Sequence, residues 1–241
     1  MNLNRMFILG ALAFIAGCVS PDRVKALEEK VATLEKTVEE VKKAGAKAGP
    51  ADEKAEKAAA SLYEGIGKAV RDGKIDDAKK KLKELKAKYS NTTAYRRARK
   101  IEKELEVIGK PAPKAFEVEK WYTTESTIDF NSDTPTLLVF WEVWCPHCRR
   151  EVPKMQETWD KYQGKMQMVG LTKITRSATE EKVTEFIAEN KVSYPTAKEN
   201  GDLSKHFNVS GIPAAAVVKG GKIVWRGHPG RLNDDMINGW L

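Results

Sequence analysis

The stretch FWEVWCPHCRREVP, residues 140–153, carries the most information about the fold of this chain. It holds Cys145 and Cys148, two of the three cysteines in the sequence, with Pro146 and His147 between them. The same spacing occurs in structural clips, metal sites, haem attachment sites and redox couples. The third cysteine and the residues that follow are needed to choose among these.

The first residues have the pattern of a bacterial export signal. Arg5 precedes an apolar run over residues 6–16, which is shorter than the roughly 20 residues that cross a bilayer. The ending Ile-Ala-Gly-Cys resembles the lipobox of bacterial lipoproteins, in which the signal is cut before a cysteine that becomes lipidated. We therefore predict a lipoprotein signal over 1–17 and a bilayer anchor at lipidated Cys18, with an ordinary signal peptide as the alternative. Val19, directly after that cysteine, favours the outer membrane.

If Cys18 carries lipid, Cys145 and Cys148 are the cysteines left for chemistry in an oxidising compartment. A disulfide between them would close too short a loop to stabilise a fold. A haem attachment site needs histidine directly after the second cysteine, where this chain has Arg149. A structural zinc site needs four ligands, and His206 and His228 show no paired spacing. The sequence therefore predicts a redox couple with neither a metal nor a cofactor.

The net charge of +8 comes largely from lysine-rich stretches before residue 115. Lysine and glutamate alternate there in helical patterns, without interleaved aromatic residues or a known nucleic-acid reading motif. Solvated helix faces explain this composition, and we predict no nucleic-acid partner.

Residues 18–43 are predicted to form a coiled-coil stalk behind the lipidated residue. Their apolar side chains alternate at spacings of three and four, with valine and leucine in the positions that favour a parallel two-stranded coiled coil. A homodimer through this stalk is one interpretation, and a lone amphipathic helix against another domain is the other. Residues 44–60 are predicted to be a semi-rigid linker. The heptad positions are Val24, Leu27, Val31, Leu34, Val38 and Val41.

Residues 61–110 are predicted to form a small all-α module. Asp72-Gly73 should break its first helix, and Gly109 with Pro111 should follow its last. The segment resembles a tetratricopeptide unit, with a small residue at Ala78. Only about one and a half repeats fit, and such arrays generally need three. The module is therefore interpreted either as a peptide-binding unit or as a spacer bundle.

After a proline-rich boundary the pattern changes to alternating strands and helices, which is typical of an α/β domain. Residues 136–141 form a continuous apolar run, as expected of a strand buried on both faces. A capping box at 177–180 and Asn233 should begin two later helices. The other predicted elements are a helix from the cysteines to Gln163, a strand over 166–172, a short segment near Tyr194, a small helix at 203–207, and a hairpin of 214–218 with 223–225.

Residues 116–241 resemble the thioredoxin superfamily. The resemblance is carried by several motifs in the right order: Phe140-Trp141, Trp144-Cys145-Pro146-His147-Cys148, Pro153, and Gly211-Ile212-Pro213 before AAAVVKGGKIVWRG. An insertion between the cysteines and Gly211, the lipoprotein signal and Glu151 are similar to the TlpA/ResA group of membrane-tethered thioredoxins. The predicted fold class is α/β, a C-terminal thioredoxin fold after a coiled-coil helix and an all-α module.

Helix-end electrostatics and the resemblance give each residue of the couple a role. Cys145, at a helix N-terminus, should be an exposed nucleophile whose thiolate the helix dipole stabilises. Cys148, one turn further, should resolve the mixed disulfide. Pro146 suits the first helical turn, and a positive His147 would favour the reduced form. Trp144 is expected to contribute to redox tuning and substrate binding.

Two residues outside the couple complete the predicted site. The resemblance to the TlpA/ResA group implies that Glu151, on the same helix face as Cys148, moves the proton of that thiol. Val139 stands where thioredoxins have a buried acid, which leaves Glu151 as the main candidate for general base; an exposed glutamate paired with a neighbouring arginine is the alternative. The resemblance implies that Pro213 is a cis-proline facing the cysteines. The Ile212 backbone would then be exposed for strand-like pairing with the substrate.

The sequence therefore predicts a lipid-anchored thiol–disulfide oxidoreductase on the periplasmic face of a bacterial membrane. Its partners would be thiols and disulfides of exported proteins, and a membrane-bound redox donor would recharge it. The resemblance favours a reductase, whereas the Pro-His dipeptide resembles that of the oxidant DsbA. A DsbA-like disulfide donor and a copper-delivery module are the alternatives.

Overall fold

The computed structural model describes residues 21–46 and 52–241, with side chains described for 22–36 and 52–241. The predicted signal over 1–17 and the lipidation site Cys18 lie outside the described residues. The chain divides into two units, one up to Asp52 and one from Glu53 to Leu241, which are described separately. Among the helices described, none is long and apolar enough to cross a membrane.

The first unit contains one continuous helix, α1 (Pro21–Ala46). The apolar heptad side chains of Leu27, Val31 and Leu34 are exposed on this helix. A helix over the predicted stalk is therefore present, and its pairing with a second copy stays a prediction.

Three helices begin the second unit: α2 (Glu53–Arg71), α3 (Ile75–Tyr89) and α4 (Thr93–Leu105). The helix α2 starts within the predicted linker 44–60. The break at Asp72-Gly73 occurs as predicted, since Gly73 has a φ of +69°, a conformation that glycine adopts at little cost. The α4 N-cap is Thr92, whose hydroxyl accepts a hydrogen bond from the Tyr95 N–H. Side chains from all three helices form one core: Ala59, Ile66, Ala69, Val70, Ala78, Leu82, Leu85, Ala94, Ala98, Leu105 and Ile108.

A sheet of six strands in the order β1-β4-β3-β2-β5-β6 forms the centre of the rest. β2 is parallel to β3 and β3 to β4, whereas β1, β5 and β6 run antiparallel to their neighbours. β2 is buried along its whole length, as its continuous apolar run predicts. The strands are β1 (Lys120–Trp121), β2 (Thr136–Trp141), β3 (Gln167–Thr172), β4 (Thr196–Lys198), β5 (Ala214–Lys219) and β6 (Lys222–Gly227).

Helices flank this sheet: α5 (Pro146–Tyr162), α6 (Glu180–Glu189), α7 (Asp202–His206) and α8 (Asp234–Trp240).

The predicted capping box at 177–180 is wrong in its register. Thr179 rather than Ser177 is the N-cap of α6, because its hydroxyl is the group that accepts a hydrogen bond from the Lys182 N–H. Asn233 caps α8 as predicted, accepting from Met236 N at 2.9 Å.

The topology brings several loops to one edge of the sheet. β2 and β3 are parallel, so the segments that follow them, at 142–145 and 173–179, leave the same edge. β5 is antiparallel to β2 and begins at this edge, directly after Pro213; β6 ends here, before His228. The Cys145–Cys148 stretch therefore lies among loops from four different strands.

A buried cluster of charges joins α4 to the sheet. Glu104, 4% exposed, accepts two hydrogen bonds of 2.9 Å from the Arg231 guanidinium, which lies just beyond β6. Arg226 in β6 is also buried and donates to the carbonyls of Phe207 and Gly227. Burial lowers the pKa of Arg226 to about 10, and the charge of Glu104 opposes this shift. The three-helix module is thus joined to the sheet, and we call Glu104, Arg226 and Arg231 the seam cluster.

Candidate active site

Cys145 is the N-cap residue of α5, as the sequence predicts. Its Sγ accepts a hydrogen bond from the Cys148 N–H at 3.4 Å, so the thiol contacts one of the unsatisfied amides at the start of the helix. Pro146 occupies the first helical position, where no N–H is needed. The expectation of an exposed nucleophile is wrong, because Cys145 is only 4% exposed.

Cys148 lies one turn further into α5 and is completely buried. Burial raises the pKa of its thiol well above the ordinary value, and the hydrogen bond with Cys145 raises it further. A backbone hydrogen bond from Glu142 opposes the shift, while the charge of Glu142 adds to it. Both cysteines are free thiols. Cys148 is therefore a protected thiol beside a more accessible one, as the predicted order of reaction requires.

The Ile212–Pro213 peptide bond is cis, as the resemblance implies. The Ile212 carbonyl oxygen lies 3.8 Å from the Cys145 Sγ, which donates to it. Ile212 itself is partly exposed, so its backbone borders the accessible side of the nucleophile. The loop before β5 and the N-terminus of α5 are thus in direct contact.

His147 is exposed and lies 2.6 Å from the Arg150 guanidinium through its Nδ1. A guanidinium can only donate hydrogen bonds, so the His147 Nδ1 is the acceptor in this contact. The permanent positive charge on this side of the couple therefore belongs to Arg150.

Glu151 lies in α5, three residues beyond Cys148. Its side chain is 13% exposed and pairs with Lys154 at 3.0 Å, while its buried Oε2 has no hydrogen-bond partner among the described residues. It lines a cleft of about 610 Å³ together with His228 and Gly230. Burial lowers the pKa of His228, and the charge of Glu151 opposes this. The proton-transfer role of Glu151 stays a prediction.

The buried acid Glu142 was missed by the sequence reasoning. It follows β2, is 6% exposed, and its Oε2 accepts a hydrogen bond from Trp144 Nε1 at 2.6 Å and another from the Thr175 hydroxyl. The Arg176 guanidinium lies 3.8 Å over the Trp144 ring. A signal for Glu142 was present, since it is the one charged residue in the apolar run 137–145. Val139, at the position discussed for a buried acid, is fully buried.

Within residues 21–46 and 52–241, no three His, Cys, Asp or Glu side chains are grouped so as to hold a metal ion. His206 is exposed and lies 3.0 Å from the Pro111 carbonyl. His228, interpreted from the sequence as an ordinary hairpin residue, instead borders the cleft beside Glu151.

Comparison with known proteins finds relatives that are named thiol–disulfide oxidoreductases. Sporulation thiol-disulfide oxidoreductase A of Bacillus subtilis is 24% identical over 112 residues, which cover 46% of this chain and 68% of that protein. The thiol-disulfide oxidoreductase ResA of Oceanobacillus iheyensis is 27% identical over 106 residues, or 44% of this chain and 54% of the relative. The chain thus spans about half the length of that ResA.

Solved structures of similar fold include a thioredoxin-like protein in its oxidised form, with a TM-score of 0.47 and 21% identity over 55% of this chain and 95% of that one. The crystal structure of StoA from Bacillus subtilis aligns with a TM-score of 0.43 and 25% identity, over 53% of this chain and 98% of its own. The names of the relatives confirm the predicted enzyme class, a thiol–disulfide oxidoreductase. Residues 108–226 match the model of the AhpC/TSA family. The C-terminal part of the chain has a thioredoxin-like fold after an N-terminal helical region, as predicted.

Proposed function

We propose that the protein exchanges disulfides with exported proteins through Cys145 and Cys148. The observation that carries this proposal is the arrangement of the two sulfurs. The Cys145 sulfur accepts a hydrogen bond from the first turn of α5 and contacts the Ile212 carbonyl. Cys148 is completely buried one turn further along the helix. One thiol is placed to meet a substrate and the other to complete the reaction.

In the reducing direction the Cys145 thiolate attacks one sulfur of a substrate disulfide, and the other substrate sulfur leaves and takes up a proton. The Cys148 thiol then loses its proton as its sulfur bonds to Cys145. The bond between Cys145 and the substrate breaks, and the second substrate thiolate takes up a proton. The substrate disulfide has become two thiols, and the enzyme dithiol has become a disulfide.

Three variants test this reaction in the full chain. Cys145→Ser should abolish reduction of a model protein disulfide such as insulin. Cys148→Ser should instead accumulate a mixed disulfide at Cys145, visible by mass spectrometry. A His206→Ser control, remote from the couple, should react at the wild-type rate. Full insulin reduction by Cys145→Ser would overturn the proposal.

We infer that the couple works as a reductase that a membrane-bound donor recharges. The buried carboxylate of Glu142 supports this direction, because negative charge near the couple disfavours the thiolate. The DsbA-like alternative is supported only by the positive charge of Arg150, which would stabilise the thiolate. Equilibration with glutathione redox buffers measures the potential, and a value near −120 mV would make the protein a disulfide donor.

The anchor and the stalk belong to the same proposal. Lipidation at Cys18 would place the enzyme on the periplasmic face of a membrane, with the outer membrane favoured, and Cys18→Ser should release it from the membrane fraction. The exposed apolar side chains of α1 support a parallel homodimer. Replacing Leu27 and Leu34 with glutamate should then yield monomers in sedimentation, with Lys25 and Lys36 changed to glutamate as the control.

A further inference from the structure

Glu142 occupies the segment between β2 and the nucleophile, so its position is tied to the couple by the chain itself. Its backbone carbonyl accepts a hydrogen bond of 3.1 Å from the Cys145 N–H. Its side chain is buried at the edge where the loops after β2 and β3 meet. The charge of this side chain raises the pKa of the Cys148 thiol, and its burial leaves it poorly screened by water.

The carboxylate is held by neutral donors. Trp144 Nε1 and the Thr175 hydroxyl both donate to Oε2, one from the active-site segment and one from the loop after β3. Of the basic side chains in the described residues, none forms an ion pair with it. A buried charge without a counter-charge destabilises the fold, and such groups concentrate at functional sites.

Negative charge beside a dithiol has a definite effect on its chemistry. It disfavours the thiolate forms of the reduced enzyme more than the uncharged disulfide of the oxidised enzyme. The reduced form then becomes a stronger reductant and the potential of the couple falls.

We propose that Glu142 is a positioning residue of the redox couple, whose buried carboxylate, fixed by Trp144 and Thr175, keeps the Cys145–Cys148 pair reducing. This inference rests on the proposed function and deepens it, since it names the group that sets the direction of exchange. The inference also assigns Glu142 and Glu151 different effects on the redox equilibrium.

Glu151 is the natural comparison. Its carboxylate is paired with Lys154, so much of its charge is neutralised, and it faces the cleft lined by His228 and Gly230. Its removal should therefore change the redox equilibrium less than the removal of Glu142.

The test is the redox equilibrium with glutathione, measured for the full chain and four variants. Glu142→Gln keeps the shape and removes the charge, and it should shift the equilibrium constant about tenfold toward the reduced enzyme, or about 30 mV more positive. Glu142→Asp keeps the charge and shortens the side chain, and should stay within about threefold of the wild type. Glu151→Gln should also stay within about threefold. Glu142→Gln combined with Trp144→Phe should resemble Glu142→Gln alone, because the indole acts through the charge.

Denaturant unfolding of each variant shows whether it is folded, and Glu142→Asp keeps the test informative if Glu142→Gln is not. An unchanged equilibrium in folded Glu142→Gln overturns the inference while leaving the proposed exchange intact. So does a larger shift for Glu151→Gln than for Glu142→Gln. A tenfold shift in Glu142→Asp would assign the effect to shape rather than charge and would also overturn it. A wild type with no measurable couple would overturn both this inference and the proposed function.

Discussion

The seam cluster and the edge of the sheet that carries the active site each contain a buried glutamate. The two glutamates differ in their hydrogen-bond partners. At the seam, the Glu104 carboxylate is matched by the bidentate Arg231 and lies near the charge of Arg226. At the active site, Glu142 has only the indole of Trp144 and the Thr175 hydroxyl as donors. A paired buried charge fixes two parts of a fold together, whereas an unpaired one beside two thiols is available to influence their chemistry.

The largest expected effect comes from removing the charge at the seam. Glu104→Ala leaves the Arg231 guanidinium without its bidentate partner and the buried Arg226 without a nearby acid, and should lower the free energy of unfolding by about 3–5 kcal/mol. Glu84→Ala, which removes an exposed acid paired with Lys88, should change the free energy of unfolding far less, because water screens this pair. Urea unfolding of the reduced proteins gives both values. A potential that moved with Glu104→Ala as much as with Glu142→Gln would erase the contrast between the two regions.

The second prediction concerns the pH dependence of the reduced protein. The pKa of Cys148 is raised in the folded state, so above about pH 9 the unfolded chain releases a proton that the folded chain keeps. The stability of the reduced protein should therefore fall as pH rises above 9, by up to about 1.4 kcal/mol for each pH unit. The oxidised protein has no thiol there and serves as the control. Parallel curves for the two forms between pH 8 and 10 would contradict the burial of Cys148.

The third prediction removes one neutral donor from the active-site edge. Trp144→Phe keeps an aromatic ring under Arg176 but loses the hydrogen bond to Glu142. It should lower the free energy of unfolding by about 1–3 kcal/mol, because the buried carboxylate loses a partner. Trp159→Phe, in the same helix as the cysteines and not bonded to Glu142, provides the control. Equal losses in both variants would show that the indole contributes packing alone.

The smallest effect should come from His228, beside Glu151. Burial lowers its pKa in the folded state, so below about pH 6.5 the unfolded chain binds a proton more readily than the folded chain does. Stability should therefore decrease as pH falls from 6.5 toward 5, and His228→Asn should flatten this part of the curve. His206→Asn, on an exposed residue, should leave the slope as it is in the wild type.

Much of the fold could be predicted because its signals are local. The apolar run of β2, the N-cap Asn233 and the glycines of the β5–β6 turn each specify structure within a few residues. The capping error at Ser177 shows the limit of such signals. Two hydroxyl residues stand close to the start of α6, and the direction of the chain leaving β3 determines which one reaches an amide.

The parts of the candidate site that lie within one sequence motif could be predicted. The parts that the fold brings together from distant positions could not. The order of Cys145 and Cys148 and the cis peptide before Pro213 followed from motif resemblance. The exposure of Cys145 was wrong, because the residues that cover it include Ile212, 67 positions away. Glu142 meets Thr175 across 33 positions, and no spacing rule connects a residue after one strand with a residue after the next.

The seam also constrains the order in which the chain can finish folding during synthesis. Glu104 lies in α4, the last helix of the three-helix module, yet the arginine that pairs with it is synthesised 127 residues later. Until that arginine has been made, the helices hold an acid whose burial lacks its bidentate partner. An interrupted chain therefore presents a destabilised amino-terminal half to proteases, whereas a finished chain conceals it. The stability of the helices made first therefore depends on completion of the polypeptide.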